Sequence, residues 1–153
     1  MDGRLRDWRY LCYNTREMKY LVDPQLVVDV LERGGEWSKR VAALFERHRG
    51  DELVLAQVSY LALSPSFVGI RSMQDRFLDG LGIKVARTAP AKVLDAAYAA
   101  WSRFQKENPG ERGGMSAFDQ LYIGAFALLY DGILTRNGAL YRTYYETLNV
   151  IEP

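Results

Sequence analysis

The sequence predicts an α/β fold, a three-layer sandwich with a central, mainly parallel sheet flanked by helices. Short apolar runs of strand length alternate with longer helical patterns from residue 18 onward, as parallel strands joined by crossover helices require. Polar residues directly follow several of these runs, as at Asp23 and Asn137, so they would converge on one strand-end crevice. The 153 residues suffice for one domain with a proper core and are too few for two ordinary ones.

Each element has its own signal. KYLVD reads as a buried strand ending on the acid Asp23. Pro24 suits a first helical turn, and Leu26, Val27, Val30 and Leu31 give that helix an apolar face before Gly34 and Gly35 stop it. Val41, Leu44 and Phe45 mark a second helix from about Trp37 to Arg47. A strand is expected over Leu53 to Val58, followed by a short helix that Ser59 caps and that stops before Pro65. Phe77, Leu78 and Leu81 mark a helix ended by Gly82, and IKVA is a small strand. The long helix from Pro90 to Lys106 should bury Val93, Leu94, Ala97, Trp101 and Phe104. After the glycine-rich loop KENPGERGGMS, Ser116 is expected to cap a helix from Ala117 to Tyr130, apolar almost all round and therefore central. GILT is a strand, LYRTYY a short helix and LNVI a last strand.

Composition narrows the function classes. One cysteine, Cys12, excludes an intrachain disulfide and a thiolate metal cluster, and the single His48 excludes a His-pair zinc site. His48, in LFERHRG, is expected at a helix end as a cap. The net charge of +1 lacks the field of a non-specific nucleic-acid binder. No apolar run reaches the roughly 18 residues of a membrane span, and MDGRLRDWRY has no apolar signal core. A soluble cytoplasmic protein with no membrane partner is expected.

The stretches YLALSPSF, IGAFALLYDGILTRN and YRTYYETLNVI, in this order and spacing, resemble patterns of one bacterial branch of the PIN domain. That nuclease family includes the VapC-type toxins of toxin–antitoxin pairs. The resemblance divides the chain into an N-terminal extension, residues 1–17, and a PIN-like domain, residues 18–153. It implies a ribonuclease ancestry with Mg²⁺ or Mn²⁺ as cofactor, RNA and an antitoxin-like protein as partners, and a homodimer. Such chemistry needs acids because a hard divalent ion prefers oxygen ligands, activates water and neutralises charge building on the phosphate.

Carried over position by position, the family pattern keeps its first acid as Asp23. The second position is Ala62, the third is Gln120 with Asp119 one residue early, and the fourth is Asn137. A one-residue slip at the helix start would bring Asp119 into the site; without it, a turn of about 100° per residue aims Asp119 elsewhere. Asn137 keeps a neutral carbonyl oxygen, whereas Ala62 cannot ligate. Two hypotheses follow. One is a PIN-derived RNA- or protein-binding or regulatory module, catalytically impaired. The other is an active Mg/Mn-dependent ribonuclease toxin using Asp23 and Asp119, with a further acid such as Asp29 or Asp95 reaching the crevice.

Simpler roles are open to the same residues. Asp23 can cap the following helix, and Asp119 can sit at a helix N-terminus favoured by the macrodipole. Tyr141, Tyr144 and Tyr145 can stack bases or pack in the core, and Trp37 and Trp101 lie on core-facing helical stripes. Arg112, Arg136 and Arg142 can face phosphate or solvent. Trp8, Tyr10, Leu11 and Tyr13 carry enough apolar surface to expect residues 1–17 to pack against the body or a second protomer.

Overall fold

Five short runs of two to four residues form one sheet: β1 (Lys19–Val22), β2 (Glu52–Leu55), β3 (Ile83–Val85), β4 (Gly132–Leu134) and β5 (Val150–Ile151). This computed structural model describes residues 17–110 and 115–153. The strand order is β3-β2-β1-β4-β5, and all four neighbouring pairs are parallel. From β1 the chain winds outward to β2 and β3, then returns to place β4 on the other side of β1. The crevice beyond the carboxyl ends of β1 and β4 is therefore the topological switch point of the sheet.

Helices cover both faces, so the expected sandwich is present. Side chains alternate across each strand. Leu21, Val54 and Ile133 join one core with residues of α5 (Ala91–Glu107), α6 (Met115–Ala127) and α7 (Ala139–Tyr144). Tyr20, Val22, Leu53, Leu55 and Leu134 join the other, with α1 (Pro24–Leu31), α2 (Glu36–Arg47) and α4 (Arg71–Gly80). Between β2 and α4 lie the short α3 (Gln57–Ala62) and a 3-10 turn, Ser64–Phe67. No helix among the described residues is long and apolar enough to cross a membrane.

Several local expectations change. The β2 ladder ends at Leu55, and the chain turns through extended Ala56 into α3. Ser59 therefore lies inside that helix rather than capping it, and its Oγ is buried without a hydrogen-bond partner among the described residues. On α5, Val93, Ala100 and Phe104 are buried while Leu94 is 65% exposed. Leu94 stands about 100° round the helix from Val93, so the two cannot share one narrow buried stripe. Ser116 falls within α6, which starts one residue earlier at Met115. That helix does pack centrally, against α5, α7, β1 and β4. His48 is the C-cap residue of α2, with Nδ1 2.8 Å from an Asp51 carboxylate oxygen and its ring edge-on to Tyr20. The expectations for residues 1–16, including Cys12 and the aromatic Trp8, Tyr10 and Tyr13, and for Arg112 lie outside the described residues.

Candidate strand-end site

Asp23 follows β1 directly. Its N–H donates to the Leu134 carbonyl at 2.9 Å, extending the β1–β4 ladder by one bond. Its backbone is extended (φ −67°, ψ 130°), and one carboxylate oxygen accepts from Gln25 N–H at 3.0 Å, while Pro24 occupies the first helical position. These features make Asp23 the N-cap of α1, offsetting one of the unpaired donors at that helix end. The other carboxylate oxygen accepts two hydroxyls, Thr135 Oγ1 at 2.8 Å and Tyr141 OH at 3.1 Å.

Thr135 comes directly after β4 and is fully buried, with its N–H donating to the Ile151 carbonyl. Its hydroxyl also accepts the Asn137 N–H at 3.1 Å. A chain of hydrogen bonds thus runs from the Asn137 backbone through Thr135 to Asp23, closing the switch-point crevice. Tyr141 reaches the same carboxylate from α7, with no solvent exposure. Gly124 makes room for this approach, because a Cβ there would overlap the ring of Tyr145, which shares the core with Tyr141. Tyr145 OH donates to the Leu121 carbonyl. Tyr144, more exposed, donates to Glu107 at 2.8 Å. The core-packing reading of Tyr141 and Tyr145 is the one that fits their burial.

Burial is the dominant influence on the Asp23 carboxyl and pushes it above the ordinary carboxylate range. The Gln25 N–H, the Thr135 and Tyr141 hydroxyls and the charge of Arg136 all pull it back. Burial, and then the Asp23 charge, push the Tyr141 phenol far upward, so it remains a donor.

A second carboxylate lies nearby in sequence. Asp29, on α1, is 5% exposed; one of its oxygens accepts from Gln25 Nε2 at 3.2 Å. The other lies 3.2 Å from Arg136 Nε, within ion-pair range but not aligned as a hydrogen bond. Arg136 also lies over the Trp37 ring, 5.2 Å from its centroid, and Arg40 lies 4.5 Å from the same centroid. Arg40 in turn donates to the Pro153 carbonyl at 2.9 Å. Trp37 is thus a half-buried platform for two guanidinium groups. Arg142 pairs with Glu152 at 2.8 Å.

The family pattern's other positions are placed differently. Ala62, the last residue of α3, is exposed. Asp119 and Gln120 are half-buried in α6, and neither hydrogen-bonds to Asp23 or Asp29 among the described residues. Asp119 is also beyond the first helical turn, where the macrodipole acts most strongly, so that expectation is corrected. The Asn137 side chain is exposed, although its backbone joins the crevice. Asp95 lies exposed on α5.

Family models, curated proteins and solved structures give no match to this chain.

The residues present do not fit a Mg²⁺ or Mn²⁺ ion of the expected kind. Asp23 already has both oxygens engaged by three donors. Asp29 pairs with a guanidinium, and among the described residues no three His, Cys, Asp or Glu side chains converge as a metal set. Hard divalent ions take several oxygen ligands and, in catalytic sites, keep open positions for water. Sequence reasoning singled out Asp23 but missed Thr135 as its partner and Arg136 as the internal cation. The motif TRN, placed directly after an apolar strand, was the available signal.

Proposed function

We propose that this chain is a PIN-like protein whose acidic strand-end site has become a network of internal hydrogen bonds and ion pairs. It works as a binding or regulatory module for RNA or a protein partner, not as a metal-dependent ribonuclease. The carrying observation is the saturation of Asp23: one buried carboxylate with three protein donors. Metal capture would require breaking those bonds and bringing further acids to Ala62, Gln120 and Asn137. The all-parallel sheet, with Asp23 and the Asn137 backbone at one switch point, supports the PIN-like part of the reading.

The test is an Mn²⁺ titration and an RNA cleavage assay on the same preparation. The parent should show neither saturable micromolar binding nor cleavage. Ala62→Glu combined with Gln120→Asp and Asn137→Asp should gain Mn²⁺ binding, since each change returns a carboxylate where the family pattern has one. Parent cleavage that Asp23→Asn abolishes would overturn the proposal in favour of an active nuclease using Asp23 and Asp119.

A further inference from the structure

Among the described residues, the edge of the sheet at β3 is open where the switch point is closed, and β3 pairs only with β2. Ala86 N–H donates to the Leu55 carbonyl at 2.9 Å. Backbone groups alternate sides along a strand, so Lys84 also faces β2, while Ile83 and Val85 turn their N–H and C=O groups to the outer edge. Residues 83–87 line a groove of about 1010 Å³, walled by α3, α4 and the side chains of Phe118 and Tyr122. Leu61 (69% exposed) and Phe118 (44%) give its walls apolar surface.

Charge selects among occupants. Arg71, Lys84 and Arg87 line the groove against Asp75 and Asp79, and Asp75 already accepts Tyr60 OH at 2.7 Å. Lys84 and Arg87 sit on and just beyond the edge strand itself; Lys84 also lies 4.0 Å from Glu52, so the groove lining carries an excess of one positive charge, that of Arg87. A second copy pairing β3 to β3 would bring these cations against their own counterparts, a device by which edges resist self-association. An acidic strand would meet them favourably.

We propose that this groove binds an extended acidic–apolar segment of a partner protein, added as a sixth strand beside β3. Its backbone pairs with Ile83 and Val85, its acids face Lys84 and Arg87, and its alternate apolar side chains rest on Leu61 and Phe118. Strand addition draws affinity from main-chain bonds and specificity from alternate side chains. The groove is separate from the Asp23 network, so this inference stands or falls independently of the metal question.

The probe is a fluorescein-labelled hexapeptide alternating glutamate and isoleucine, followed by anisotropy and amide exchange on the full chain. It should bind, slow exchange at Ile83 and Val85, and weaken at least tenfold when alternate peptide amides are N-methylated. Lys84→Glu with Arg87→Glu should weaken it at least tenfold and reverse the preference toward a lysine–isoleucine peptide, a gain that an unfolded variant could not show. Absence of binding up to millimolar peptide, equal affinity for both peptides, or indifference to N-methylation would overturn the proposal. Tighter binding of hexauridine, with protection at the same amides, would overturn it in favour of RNA.

Discussion

In the crevice beyond β1 and β4, the polar side chains end on one another: Thr135 and Tyr141 on Asp23, Gln25 and Arg136 on Asp29. Along β3, cations and apolar side chains face a groove, and two of the strand's three residues, Ile83 and Val85, turn their backbone groups outward. Both regions belong to the same sheet. Burial separates them: a carboxylate removed from water must be matched by donors or it destabilises the fold, whereas exposed groups bear no such demand. The closed region contributes to stability and the open one offers contact surface.

Substitutions should separate the two regions sharply. The largest effect is expected for Asp23→Ala, which removes the α1 cap and leaves the Thr135 and Tyr141 hydroxyls without their acceptor. A loss of about 3 kcal/mol in urea unfolding is expected; a loss below about 1 kcal/mol would mean the network is not structural. Arg136→Ala should cost about 2 kcal/mol, because Asp29 is left buried without its cation. Combining it with Asp29→Leu should recover part of that loss, and failure to recover would assign the effect to the Trp37 contact instead.

Smaller effects belong to the open side. Val68, just after the 3-10 turn, is 83% exposed with φ 55°, a left-handed conformation that is costly for a β-branched residue. Val68→Asn should therefore stabilise the protein by about 1 kcal/mol, measured as a higher urea midpoint with an unchanged slope. Lys84→Glu and Arg87→Glu should each change stability by less than about 0.5 kcal/mol. A larger loss would show that this edge is already part of the folded network.

The buried carboxyl also leaves a pH signature. Its folded-state pKa lies above the ordinary value of 3.8 because of burial. The folded form therefore holds the proton more tightly than the unfolded form. That contribution is full below the ordinary value and is lost as pH rises through the raised one. The stability of the parent relative to Asp23→Asn should fall as pH rises above about 4, the ordinary carboxylate value. A difference that stays flat or rises would contradict the dominance of burial.

The fold was legible in the sequence because strand and helix periods differ; four of the five strands fell within their predicted runs, and β2 overlapped its own, starting one residue early at Glu52. Boundaries were less so: nothing in AQVS marks Ala56 rather than Ser59 as the N-cap of α3. Leu94 shows a different limit, since apolar character does not say which of two adjacent helix faces meets the sheet. Asp23 could be found at the site because one strand end positions it. Its partners could not, because Thr135 and Tyr141 lie 112 and 118 residues away and are joined to it only by the β1–β4 pairing.

The central claim is that Asp23 serves the fold and not a metal. Urea unfolding of the parent in saturating Mn²⁺ and in chelator tests it most directly, because a ligand held only by the folded form raises stability by about 2.7 kcal/mol at a hundred times its Kd. The account predicts curves that coincide within about 0.5 kcal/mol, no more than an ordinary surface change produces. A stabilisation of about 2.7 kcal/mol that disappears in Asp23→Asn would contradict it.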